Sequence, residues 1–437
     1  MCKAEAGLRG HVGVPGDKSV SHRAAIFGAV AEGTTRISNF LPATDCLSTL
    51  EVVQGLGIEV AYSREEVLVY GRGMRCLREP VRPLECGGSG TTMRLMAGLL
   101  AGQPFYSVLA SNAQLGRRPM SRVAVPLRGM GATILGRDGG NYPPLSIVGG
   151  NLHATKYRMP VASAQVKSAI LLAGLYAQGV TTVEEPAPSR DHTERMLAAM
   201  GAKLDVQRGQ VSIEPADRLD AIDIRVPGDL SSAAFMLAAA AIVPGSHITI
   251  PGVGVNPGRV GFLDALRRMG AEVCIYNERL ENGEPVADIE LRYAPLRGIS
   301  ISAEEVPGMV DELPVLAVVA SQAQGTTEVR GAGELRVKET DRIATTVSEL
   351  RTMGSHIEAL EDGFIVHGPT TLKGGMVSSH GDHRLAMSLA MAALAAEGPT
   401  EVEDTACIDD SFPGFEQALS SLLQGTRQDS GQGAGRG

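Results

Sequence analysis

Six stretches of this chain share one pattern: a Ser or Asp, an Ala- and Leu-rich run of helical length, a Gly, and a short β-branched segment. The openings are Ser19, Ser89, Ser163, Ser231, Asp311 and Asp382; the closings are Gly33, Gly102, Gly179, Gly245, Gly325 and Gly398. A Ser or Asp cap, an apolar run and a terminal Gly define a buried helix. The segments that follow, such as TTRISNF, HITIPG and TTEVRGA, have the β-branched content of strands. A second helix recurs in each unit and closes at Gly57, Gly131, Gly201, Gly270, Gly354 and Gly425, with LRGMGA, LAAMGA, LRRMGA and LRTMGS as its clearest copies. The chain is thus six copies of one β/α unit. Their period is longer than the roughly 20–50 residues of a solenoid, so the copies divide into two halves of three.

Polar and charged residues gather at the first turns of the buried helices: His22 and Arg23, Arg94, Gln165 and Lys167, Asp311 and Glu312, His383 and Arg384. A helix N-terminus presents free N–H groups and a positive dipole end. Helix starts that also carry Arg, Lys or His point to a shared anion site.

Composition narrows the setting. Hydrophobic residues make up 43% of the 437, enough for a sizeable core, while aromatics are only 4% and Gly reaches 53. Small residues of this kind favour close helix packing. A net charge of −9 excludes a general nucleic-acid or acidic-membrane binder. The six cysteines form no CxxC pair and no metal-ligand spacing, so they read as reduced thiols of a cytoplasmic protein. No apolar run reaches membrane-spanning length. The Gly- and Gln-rich stretch from residue 425 to 437 is expected to be a disordered tail.

Four segments carry the chemistry. In VPGDKSVSHR, Lys18, Ser19 and Arg23 stand at a helix start, spaced to address one anionic ligand. CGGSGTTMRLM is a Gly-rich turn before a helix carrying Arg94, without the GK[ST] ending of a nucleotide P-loop. LRVKETDR places Lys338, Glu339, Asp341 and Arg342 between a strand and a helix capped by Thr340 or Asp341. A carboxylate held among cations there is poised for proton transfer. HGDHRLAMS makes Asp382 a cap and sets His383 and Arg384 on the first turn; His380 and His383 lack a third metal ligand.

GDKSVSHR, GSGTTMRLM, RRPM at Arg117–Met120, SAQVKSA at Ser163–Ala169, SRDHTERML at Ser189–Leu197, RVKETDR and GDHRLAM together resemble the 5-enolpyruvylshikimate-3-phosphate synthase family, in order from about Val14 to Leu422. The resemblance implies an α/β fold of two similar domains, each of three βαβαββ units forming an inside-out α/β barrel, with the active site in the interdomain cleft. Residues 1–14 with 228–424 would form one domain and 15–227 the other, with the crossings near Pro15 and Pro227. The implied reaction moves the enolpyruvyl group of phosphoenolpyruvate to the 5-hydroxyl of shikimate 3-phosphate and releases phosphate, a step of aromatic amino acid biosynthesis. It implies no cofactor, no metal, and a cytoplasmic monomer that binds neither nucleic acid nor membrane.

The resemblance also assigns roles. Lys18, Gly90, Arg94, Arg118, Gln165, Arg342, His383 and Arg384 would hold phosphoenolpyruvate. Lys18, Ser19, Arg23, Ser163, Ala164, Gln165, Ser189, Asp311 and Lys338 would hold shikimate 3-phosphate. Asp311 and Lys18 would take the hydroxyl proton, and Glu339 would protonate the methylene carbon.

The chain departs from the family pattern in places. Gly88 stands where many members have Asn, Arg190 and His192 replace the Lys and Tyr of one group of members, and Asp410 stands near where that group has a substrate-binding Lys. Gly90 leaves space beside the phosphoenolpyruvate site, which implies inhibition by glyphosate. Two rival readings stand beside this one: transfer to UDP-N-acetylglucosamine, whose enzymes carry a reactive Cys where QLGRRPM has none, and a non-catalytic phosphometabolite-binding repeat protein.

Overall fold

The computed structural model describes residues 1–432, and contacts divide the chain into two units. One comprises Met1–Pro15, Gly228–Arg279 and the chain from Pro285 onward; the other comprises Gly16–Pro227 with Leu280–Glu284.

The second of these holds three four-stranded sheets of one design. Tyr106–Ala110 pairs parallel with Leu84–Glu85 and antiparallel with Tyr142–Val148, which pairs antiparallel with Thr133–Gly136. Lys156–Arg158, Thr181–Glu184, Gln210–Ile213 and Leu204–Gln207 repeat that order. In the remaining sheet the parallel strand comes from the far end of the unit, Ile224–Arg225 against Ile37–Ser38. The core is built by the helices Lys18–Val30, Gly90–Ala101 and Ala164–Gly174, apolar almost all round. Gly98 permits one close crossing: a Cβ there would lie 2.2 Å from the Ala169 carbonyl oxygen, so any other residue would push two helices apart.

The other unit follows the same plan with helices Leu230–Ile242, Leu313–Ser321 and His383–Ala393. Its first sheet takes its parallel strand from the N-terminal segment, Arg9–His11 against His247–Thr249. Leu230–Ile242 is buried along its entire length, which only a run of Ala, Ser and a few large apolar residues allows.

Several sequence expectations are corrected. Asp17 and Asp229, not Ser19 and Ser231, cap their helices; the Asp17 carboxylate accepts the Val20 N–H at 2.9 Å. Asp311 caps nothing: Leu313–Ser321 starts with Pro314 in its first turn and no side-chain cap, as proline's preset φ permits. The sixth copy is abbreviated to a two-stranded sheet, Met376–Ser378 with Glu401–Glu403. The last helix, Phe415–Gln432, runs through Gly425, so the expected tail is helical as far as 432, and its remainder lies outside the described residues. Gly57, Gly131, Gly201, Gly270 and Gly354 do follow their helices with positive φ.

Candidate active site

In the unit holding Gly16–Pro227, Lys18 opens its helix and pairs with Asp45, Nζ to Oδ2 at 2.5 Å. Ser19 is half-buried, and its carbonyl accepts Arg23 Nη1 at 2.9 Å. Arg23 is buried, donating from Nε to Thr193 Oγ1 at 2.7 Å and from Nη2 to Ser168 Oγ at 2.8 Å. Burial pushes its pKa down to about 10, opposed by Glu194 and Asp17.

Gly90, Arg94, Arg118 and Gln165 come together. Arg94 Nη1 donates to Gln165 Oε1 at 2.6 Å, and Gln165 Nε2 donates to Thr91 Oγ1 at 2.8 Å. A Cβ on Gly90 would sit 2.8 Å from Arg94 Nη1 and 3.5 Å from Arg118 Nη1. The glycine therefore keeps the space that lets both guanidinium groups reach one place. Ser163 caps Ala164–Gly174, so its hydroxyl accepts the Val166 N–H and Ala164 takes the first helical position. Beside Gly88, Asn112 Nδ2 lies 3.2 Å from where a Cβ would be. Asn112 Oδ1 accepts the Leu115 N–H, which fixes the amide in that orientation.

Two first-turn residues do not face an anion as their position suggested. His22 is wholly buried; its Nδ1 shares a hydrogen with Thr49 Oγ1 at 2.6 Å, and burial pushes its pKa down to about 3. The ring is neutral. Thr49 continues to Thr92 and Ser89 through hydroxyl contacts of 2.7 Å each, so the chain of hydroxyls ties two helix starts together. Lys167 is also buried, with Nζ 2.7 Å from both Glu185 and Glu194. Burial raises the Glu194 pKa against the pull of Lys167. Ser189 donates its hydroxyl to the other oxygen of Glu185.

In the other unit, Asp311 is the hub. Its Oδ1 lies 3.3 Å from Arg342 Nη1, 3.6 Å from Lys338 Nζ and 4.0 Å from Arg384 Nε. Arg342 Nη2 donates to Glu339 Oε2 at 2.6 Å, and its Nε donates to Asp382 Oδ2 at 2.7 Å. Burial alone would weaken the charge on Arg342; Asp382, Glu339 and Asp311 overcome that and hold its pKa above the ordinary value. Asp382 is itself buried, which would raise its pKa, but Arg342 draws it below the usual range.

Asp382 also accepts the Arg384 N–H at 2.9 Å and so caps the helix that His383 begins. Asp341, not Thr340, caps the Arg342–Thr352 helix. Arg384 Nη1 reaches the Asp311 carbonyl at 3.4 Å and Glu312 Oε1 at 3.7 Å. His380 turns to Glu349, Nε2 to Oε1 at 2.9 Å, rather than pairing with His383. Among the described residues no group of His, Cys, Asp and Glu could hold a metal. Asp410 ends a 3-10 turn, Thr405–Asp410.

Asp45, Asn112 and Glu185 were missed by the sequence reading. Asp45 and Asn112 are distant in sequence from Lys18 and Gly88, Glu185 lies 18 residues from Lys167 and 4 from Ser189, and none lies in a spacing that marks a function.

The arrangement offers cations for phosphate and carboxylate groups, with carboxylates set beside them for proton transfer. Comparisons with known proteins give the family. The family model for EPSP synthase (3-phosphoshikimate 1-carboxyvinyltransferase) matches residues 2–419. A 3-phosphoshikimate 1-carboxyvinyltransferase of Desulforudis audaxviator is 52% identical over 95% of this chain and 97% of its own. One of Bacillus subtilis is 50% identical, with coverage of 95% and 97%. An EPSP synthase structure from Acinetobacter baumannii superposes with a TM-score of 0.87 at 43% identity, covering 97% of each chain. This chain belongs to the EPSP synthase (3-phosphoshikimate 1-carboxyvinyltransferase) family.

Proposed function

We propose that this protein transfers the enolpyruvyl group of phosphoenolpyruvate to the 5-hydroxyl of shikimate 3-phosphate, releasing phosphate. The observation that carries this reading is the pair of carboxylates, Asp311 and Glu339, sharing the buried guanidinium of Arg342. The chemistry needs a base and an acid beside phosphate-holding cations. Asp311, with Lys18, takes the 5-hydroxyl proton as the oxygen attacks C2 of phosphoenolpyruvate. Glu339 gives a proton to C3. In the second step the same carboxylate recovers a proton from the new methyl group while the C2–O bond to phosphate breaks.

Arg342, Arg384, His383, Arg118, Arg94, Gln165, Lys18 and the Gly90 backbone serve phosphoenolpyruvate in this reading. Ser19, Arg23, Ser163, Ala164, Gln165, Ser189, Asp311, Lys338 and Lys18 serve shikimate 3-phosphate. The two structural units correspond to the family's two domains, and the protein works as a cytoplasmic monomer without nucleic-acid or membrane partners. No helix among the described residues is long and apolar enough to cross a membrane.

The test is phosphate release from phosphoenolpyruvate with shikimate 3-phosphate or UDP-N-acetylglucosamine as acceptor. Release with the first alone, falling about 10²–10⁴-fold in Glu339→Gln, is the expected result. Release with the sugar nucleotide alone would overturn the choice of acceptor.

A further inference from the structure

Ser189 has one hydroxyl proton, and in this structure that proton goes to a carboxylate. Ser189 Oγ donates to Glu185 Oε2, while Glu185 Oε1 is held by Lys167 Nζ at 2.7 Å. Lys167 in turn touches Glu194 at 2.7 Å. The side chains of Lys167, Glu185 and Glu194 are 2%, 6% and 4% exposed, so Glu185 can neither swing away nor exchange its partner for bulk water. A hydroxyl that donates to a carboxylate turns its lone pairs outward, and lone pairs repel a phosphate oxygen. To donate to a phosphate, Ser189 must take its proton from a buried charged acceptor, which is among the stronger hydrogen-bond partners a protein offers.

We infer that Glu185, held by Lys167, is a specificity-setting residue that competes with the 3-phosphate of the substrate for the proton of Ser189. The inference rests on the reading of Ser189 as a ligand of shikimate 3-phosphate. Glu185 holds affinity for the phosphate below what the serine alone would give, and it takes the proton back when the product leaves. The contact concerns the phosphate and not the ring, so the effect distinguishes shikimate 3-phosphate from shikimate.

Glu185→Gln is a close isostere for the test. Its Oε1 still accepts from Lys167, while its Nε2 stands where Oε2 stood and donates to Ser189 Oγ, which frees the hydroxyl proton. Removing a negative charge would by itself favour an anion, so the variant is compared with Ser189→Ala and with the double variant in a cycle.

Dissociation constants for shikimate 3-phosphate and for shikimate are measured by calorimetry on the full chain. With Ser189 present, Glu185→Gln is expected to tighten shikimate 3-phosphate about tenfold, the size of one hydrogen bond to a charged group. In the Ser189→Ala background the gain is expected to fall to about threefold or less, and shikimate binding is expected to stay within about twofold in both backgrounds. An equal gain in both backgrounds would reduce the effect to charge through space and overturn the proposal. So would a gain shared by shikimate, or no gain at all. Wild-type protein that fails to bind shikimate 3-phosphate would instead overturn the substrate reading, and this inference with it.

Discussion

His22 makes folding stability depend on pH in a way that can be isolated. The ring is buried without exposure, and its pKa falls from 6.5 to about 3. The folded state therefore refuses a proton that the unfolded chain accepts. Stability tied to this residue is complete above pH 6.5, is lost as pH falls below that value, and levels off near pH 3. Each unit of pH in the window costs about 1.4 kcal/mol, so going from pH 7 to pH 5 should remove about 2 kcal/mol. At a urea slope of about 2 kcal/mol per M, the midpoint drops by about 1 M.

His22→Asn supplies a hydrogen-bonding group to Thr49 that does not titrate. Its midpoint should move less between the two pH values by that same 1 M, whatever its absolute stability. Tyrosine fluorescence is a suitable probe: the chain has 8 Tyr and no Trp, and Tyr62, Tyr70, Tyr106, Tyr142, Tyr157 and Tyr176 share a unit with His22. Equal pH sensitivity in the two proteins would refute the argument, because the imidazole would then be open to protonation in the fold.

Gly90→Ala places a Cβ 2.8 Å from Arg94 Nη1; steady-state kinetics should show KM for phosphoenolpyruvate raised about tenfold and inhibition by glyphosate weakened. Asn112→Ala removes the amide beside Gly88 and should raise the same KM about fivefold in the same assay, as expected for one lost hydrogen bond. Asp382→Ala takes one of three carboxylates from the buried Arg342 guanidinium, leaving Glu339 and Asp311, and uncaps the His383–Ala393 helix; it should cost about 2–4 kcal/mol in urea unfolding followed by circular dichroism. Asp382→Asn keeps the cap and should be about 1 kcal/mol less severe.

The repeat was legible because it is written in helix length, apolar content and closing glycines, all of which are local. Ser89, Ser163 and Asp382 cap their helices as read. The reading failed where two capping residues compete within a turn. Asp17 precedes Ser19, and the carboxylate at the earlier position reaches the free N–H of Val20, leaving the serine inside the helix. Asp311 failed as a cap for another reason: its carboxylate is engaged by Lys338, Arg342 and Arg384, and Pro314 starts the helix without it.

Charge at a helix start was the weakest guide. Arg94 and Arg384 are drawn to neighbours that fit an anion-binding place, but His22 is neutralised by burial and Lys167 is consumed by Glu185 and Glu194. A sequence shows that a cation stands on the first turn; it does not show which neighbours from distant segments have already taken it. Asp45 and Asn112 were invisible on the same ground. The shortened sixth copy could not be foreseen either, since its missing strands leave no mark in the helix pattern that defined the repeat.

The strand Arg9–His11 has a consequence for how the protein is made. Its partner is His247–Thr249, and the neighbouring bond from Leu8 to Ser246 Oγ spans 238 residues of sequence. A ribosome adding about 5–20 residues per second leaves that strand without its mate for roughly 10 to 50 s. During that interval the ribosome makes every strand of the three sheets in Gly16–Pro227. A segment made well before its partner is therefore placed only after it. In a circular permutant that begins at Gly16 and joins the original ends the order reverses: His247–Thr249 is made first and is the strand that waits for Arg9–His11.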